Sequence, residues 1–158
     1  MTPTTTLNDL YNEIVAVLKT VVDPTDTATY LFQNTDASWN IYDGPQTQWT
    51  GTPAAIIIPA DGPASKFESN YQNIRGYGFY VFIAMDTELT NYSQTRINMR
   101  LITDGILDAI DRSDMLNNVA DIVEAMSLKW IEEESSTGVN IVAPLEIVAK
   151  KLVMSASA

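Results

Sequence analysis

The residues in this 158-residue chain whose types could do chemistry are carboxylates, tryptophans and a pair of glycines, and each suggests a different chemistry. Asp104, Asp108 and Asp111 fall on one helical face, where three carboxylates could offer oxygens to a divalent cation. The 20 acidic residues could also supply the acid–base pair that cleaves glycosides, although such pairs meet only in the fold. Trp39 and Trp49 bracket a polar, aromatic stretch and could stack a sugar or another planar ligand. Gly76 and Gly78 copy part of a dinucleotide-binding loop, but the third glycine is missing and no helix opens directly after them.

Set against these options is what the chain lacks. It has no His and no Cys. The commonest general base, the commonest transition-metal ligand, thiolate chemistry and disulfides are therefore all absent. The plainer reading of each motif follows. The three aspartates form a solvated helix face, the glycines mark a bulge or a close backbone approach, and the tryptophans pin a loop to the domain body. No catalytic residue, metal or cofactor is expected. A net charge of −11 argues against binding nucleic acid through its phosphates. No apolar run of about 18 residues is present, so no membrane span is expected, and the chain is read as a soluble protein made in the cytoplasm.

The elements that would position these residues are read from periodicity. Gly76–Thr87 is a strand with Tyr77, Phe79, Val81, Ile83 and Met85 on one face and Tyr80, Phe82 and Ala84 on the other. Both faces are apolar, so both should be covered, by helices, strands or a second subunit. On that reading Phe82→Asp should cost more than an isolated subunit can absorb. A helix beginning near Ser93, its expected cap, runs to about Arg112, with Ile97, Leu101, Ile102, Ile106, Leu107 and Ile110 apolar. Arg100 with Asp104, and Asp108 with Arg112, are spaced to pair on it. Arg96 and Arg100 sit near its N-terminus, where the macrodipole disfavours cations, which hints at an acidic partner.

Upstream, Thr6 can cap a helix with apolar residues from Leu7 to Val21, and Asp23-Pro24 should end it. From Thr25 to Gln48 the pattern is irregular; Tyr30–Phe32 reads as a short strand and Tyr42-Asp-Gly-Pro45 as a turn. Pro53–Pro59 is a buried strand, Asp61-Gly-Pro63 a turn, and Lys66–Ile74 an antiparallel lead-in to the central strand. Ile122, Met126, Leu128 and Trp130 suggest the apolar face of a further strand. A loop over Glu132–Gly138 then leads into Val139–Ala149, whose odd positions are apolar. These two strands should form a C-terminal β-hairpin, with Pro144 at an edge or bulge and Glu132, Glu133 and Glu134 near a projecting tip. The expected fold is one α+β domain over 1–158: a mostly antiparallel sheet, two main helices on one face, and loose tails at 1–5 and 155–158.

This order resembles the tail terminator and neck (head–tail joining, tail completion) proteins of tailed bacteriophages. The resemblance runs from Leu7 onward. It rests on the N-terminal helix, the Pro-Ala-Ala-Ile-Ile-Ile-Pro strand (53–59), Arg75-Gly-Tyr-Gly-Phe-Tyr-Val-Phe-Ile, the helix ending Ile106-Leu-Asp-Ala-Ile110, and the terminal hairpin. The segment Thr25–Gln48 departs from it. The resemblance implies a structural virion protein, made in the host cytoplasm, that forms a homo-oligomeric ring, commonly hexameric. Its partners would be the tail tube protein and a head connector or stopper, with DNA passing through unbound. The candidate interface residues are Phe79, Tyr80, Phe82, Trp39, Trp49, Glu132, Glu133 and Glu134. Two alternatives stay open: another neck or head-completion component, and a small binding module built on aromatics.

Overall fold

The computed structural model describes residues 7–45, 53–59, 64–67, 72–113, 116, 119–134 and 138–154. Thr6, Trp49, the 61–63 turn and the 155–158 tail lie outside the described residues. Chain order is α1 (Leu7–Leu18), β1 (Val22–Asp23), β2 (Asp26–Tyr30), β3 (Ile41–Asp43), β4 (Ala54–Pro59), β5 (Ala64–Phe67), β6 (Gln72–Thr87), a 3-10 turn (Leu89–Asn91), α2 (Tyr92–Arg112), β7 (Ile122–Ser127), β8 (Ile131–Glu134) and β9 (Val139–Met154).

The seven strands from β3 onward form one sheet in the order β3-β4-β6-β9-β7, with β5 beside β6 and β8 beside β9. Every pairing is antiparallel except β3 with β4. The fold is α+β. Its spine is the 16-residue ladder of β6 on β9, which runs without a register shift from Gln72↔Met154 to Thr87↔Val139. Gly76 and Gly78 lie inside that regular ladder and form no bulge, and a Cβ at Gly76 would meet nothing.

The alternation in β6 and β9 decides which side chains enter the core. Tyr77, Phe79, Val81 and Ile83 of β6 and Ile141, Ala143, Leu145, Ile147 and Ala149 of β9 are buried, together with Leu10, Ile14, Val17 and Leu18 of α1 and Met99, Ile102, Ile106 and Ile110 of α2. Both helices therefore cover the same face of the sheet. Helix α2 starts at Tyr92 behind Asn91, which makes no side-chain capping hydrogen bond; Ser93 is not the cap. Ile97 and Leu101 point outward, 42% and 48% exposed. The pairs Arg100/Asp104 and Asp108/Arg112 do not close.

Helix α1 ends at Leu18, earlier than Asp23-Pro24 suggested, because that dipeptide serves a different turn. Asp23 Oδ1 accepts hydrogen bonds from Thr25 N (2.8 Å) and Thr25 Oγ1 (2.7 Å), and the turn joins β1 to β2. Tyr30 closes β2, whereas Leu31 and Phe32 drop into the core. Gly44 then turns the chain after β3 at φ +91°, a conformation that glycine adopts without steric cost.

The C-terminal hairpin is broken in its first arm. β7 pairs with β9 from Lys150 to Leu145, and β8 pairs with it from Val142 to Val139. Between them the chain leaves the ladder opposite Pro144, and Leu128 N donates to the Pro144 carbonyl at 2.9 Å. The N and C=O of a strand residue point to the same side, so the missing N–H of Pro144 faces this gap. β9 is a central strand; the proline sits opposite a break in its neighbour and not at an edge.

Candidate interaction surface

The second face of the sheet is only partly open: Ala54, Ile56, Ala84 and Pro144 on it are buried, Ile58, Tyr80, Phe82, Val142 and Val148 are half-buried, and Ile122, Met126 and Ile131 are exposed. Register places them in rows across four strands. Ala54, Ala84, Val142 and Ile131 form one row; Ile56, Phe82 and Pro144 the next; then Ile58, Tyr80, Glu146 and Met126. Val148 with Glu124, and Lys150 with Ile122, extend it further. Ile122, Met126 and Ile131 are 44%, 53% and 50% exposed. Ile122 and Met126 thus point outward, and it is Val123 and Ala125 that contact the core. Tyr80 and Phe82 are half-buried and lie in the middle of this face, with ring centroids 6.2 Å apart and planes at 45°.

Ile122, Met126 and Ile131 lie exposed along the β7–β8 side of this face, and exposed apolar side chains grouped on one face mark interaction surfaces. Tyr80 and Phe82 reach the face. Phe79 does not: it is fully buried beneath the helices, because adjacent strand residues point to opposite sides.

Trp39 lies elsewhere, on the loop between β2 and β3. It packs at 6.0 Å on Tyr30 and lies 5.3 Å beneath the Lys19 ammonium, held half-buried against the core. Its loop is fastened by the buried Asn40, whose N–H donates to Phe32 O (2.7 Å) and whose carbonyl accepts from Ala55 N (2.9 Å). Tyr42 Oη donates to Asn40 Oδ1 at 2.8 Å. Nearby, Ser38 donates through both N (3.0 Å) and Oγ (2.5 Å) to Asp36, which holds that carboxyl below its usual pKa. Trp39 is a pinned loop residue; Trp49 lies outside the described residues.

Glu132 is bound within the chain. Its carboxylate accepts from Tyr92 Oη and pairs with Arg96, whose guanidinium also donates to Tyr92 Oη (3.2 Å) and stacks 5.3 Å over Trp130. The Tyr92 hydroxyl first, and then the Glu132 charge, raise the pKa of Arg96. The acidic partner that Arg96 invited near the start of α2 is therefore on the same chain, and β8 is tied to that helix. Glu133 and Glu134 remain exposed beside Asp86, Glu88 and Asn140 around a shallow depression of about 520 Å³. We expect Glu132→Lys to speed amide exchange across Ile131–Glu134 in hydrogen-exchange mass spectrometry, while Glu133→Lys and Glu134→Lys leave it unchanged. Equal acceleration in all three would mean that the Arg96 cluster does not hold β8.

A second groove, about 510 Å³, lies between α1 and α2 and is lined mainly by small residues such as Ala16, Gly105 and Ala109, with Arg112 at its side. Asp104, Asp108 and Asp111 are exposed on α2, and among the described residues no group of three or more acidic residues is gathered closely enough to hold a metal ion. Among the described residues, no helix is long and apolar enough to cross a membrane. Compared with known protein families and with curated proteins, the chain matches no family model and no curated protein.

Proposed function

We propose that this chain is a structural protein of a tailed-bacteriophage virion. It closes into a homo-oligomeric ring at the head-proximal end of the tail, ends tail-tube growth and presents a surface to the head connector. The observation that carries this reading is the partly open second face of the sheet, where Tyr80 and Phe82 are half-buried and Ile122, Met126 and Ile131 are exposed. A surface of that kind fits a protein that completes its packing in an assembly. The family resemblance supplies the virion setting and the hexamer. The net charge of −11 fits a channel that lets DNA pass without adhering. In this role no residue is catalytic and no cofactor is needed.

Native mass spectrometry of the purified protein, alone and mixed with tail tubes, tests the reading. The expected result is one closed species at a fixed multiple of the chain mass, six on the resemblance, that also binds the end of a tube. A chain that stays monomeric at high concentration and ignores tail tubes would overturn it.

A further inference from the structure

We infer that the open sheet face is covered by the outer side of α2 from a second copy of this chain. This rests on the ring reading and names the two surfaces that meet. A ring needs a heterologous contact between two different patches, and the chain carries two on opposite sides of the molecule. One is the sheet face. The other is the outward stripe of α2, where Ile97 and Leu101 are exposed. Seating that helix on the sheet gives the second face the same kind of cover that α1 and α2 give the first, and completes a three-layer arrangement in trans.

Charge complementarity selects a second copy as the occupant. The sheet face bears Glu146 beside Tyr80, and Lys150 two rows further along the same strand. Among the described residues neither is paired. Four residues of extended strand separate them, about 13 Å. On α2, Arg100 and Asp108 lie exposed on the outward side and, among the described residues, are also unpaired. Eight residues of helix separate them, about 12 Å. A negative–positive pair on the sheet thus matches a positive–negative pair on the helix in spacing and in sign. Ile97 and Leu101 flank Arg100 and would settle on the Tyr80–Phe82 ring pair, with the aromatics as the desolvated centre. The arrangement sets Asp104 opposite Val148, one strand from Glu124. Both like charges are exposed in the single chain, and the two opposite-sign pairs must outweigh their repulsion in the contact. In a chain of net charge −11, self-association must be directed against repulsion, and an arginine met by a lone carboxylate does that.

Sedimentation velocity on the full chain tests the contact. Arg100→Glu and Glu146→Arg should each weaken self-association by about tenfold or more, and the double variant should recover most of it. Asp108→Lys with Lys150→Glu provides an independent second pair, should Glu146→Arg disturb folding. A further readout separates this contact from a symmetric sheet-on-sheet one. Mixing Phe82→Asp, which has a spoiled sheet but an intact helix, with Arg100→Glu, which has the reverse, should give a 1:1 dimer and nothing larger. If the parent assembles and the charge variants assemble equally well, the contact is wrong and the ring stands. If the parent does not assemble at any concentration, the ring reading fails with it.

Discussion

Phe79→Ala should lower stability by about 3–5 kcal/mol, read as a lower urea midpoint with an unchanged denaturant slope. Phe79 is fully buried, pairs across the ladder with Ile147, and belongs to the same cluster as the buried faces of α1 and α2. Removing the ring leaves a cavity between rigid layers that cannot close over it. Three residues along the same strand, Phe82→Asp should cost less, about 1–2 kcal/mol, because Phe82 is only half-buried whereas Phe79 is fully buried. It should instead abolish self-association. The alternation alone led to the opposite expectation, that Phe82→Asp would unfold the subunit. The structure revises it, because the helices cover the Phe79 side only. Equal losses at both positions would mean that the second face is also sealed within one subunit.

The next largest effect is expected at Gly138. A Cβ there would lie 2.2 Å from the Thr87 carbonyl oxygen and 3.1 Å from its carbon, with the Glu88 Cα at 3.4 Å. All three are backbone atoms, which cannot rotate aside as a side chain would. Thr87 and Val139 are the last register pair of the β6–β9 spine, so relief requires that the end of the ladder open. Gly138→Ala should therefore cost about 3 kcal/mol, at the upper end of the usual range for overpacking. Amide exchange at Val139 and Asn140 should rise with it. Parent-like stability would show that this junction gives way cheaply.

Several features of the fold could be read directly. The odd positions of β9 from Val139 to Ala149 are apolar and buried, as a period of two requires. The apolar face of α1 and the prolines bracketing β4 were equally plain. The β1–β2 hairpin was not, because all five residues of β2 are exposed and polar chemistry leaves no hydrophobic period to detect. In β7 the face was misassigned: Ile122 and Met126 suggested a core pattern, yet the smaller Val123 and Ala125 lie inward. The opposite side of β7 belongs to the open face, where large apolar residues mimic a core. The Arg96–Glu132 pair, 36 residues apart, had no local signature at all.

The same division runs through the candidate site. Sequence alone determined that β6 is apolar on both sides, that the chain has neither imidazole nor thiol, and that its surface is strongly acidic. Those properties follow from residue type and a local repeat. Only the tertiary structure decided which side of β6 would be left open. A strand that is apolar on both faces is indifferent to which one it buries. The choice is made by how α1 and α2 cross the sheet, and that depends on contacts between residues far apart in the chain. By placing Phe79 under the helices, the fold left Tyr80 and Phe82 on the open side, with Glu146 and Lys150 beside them.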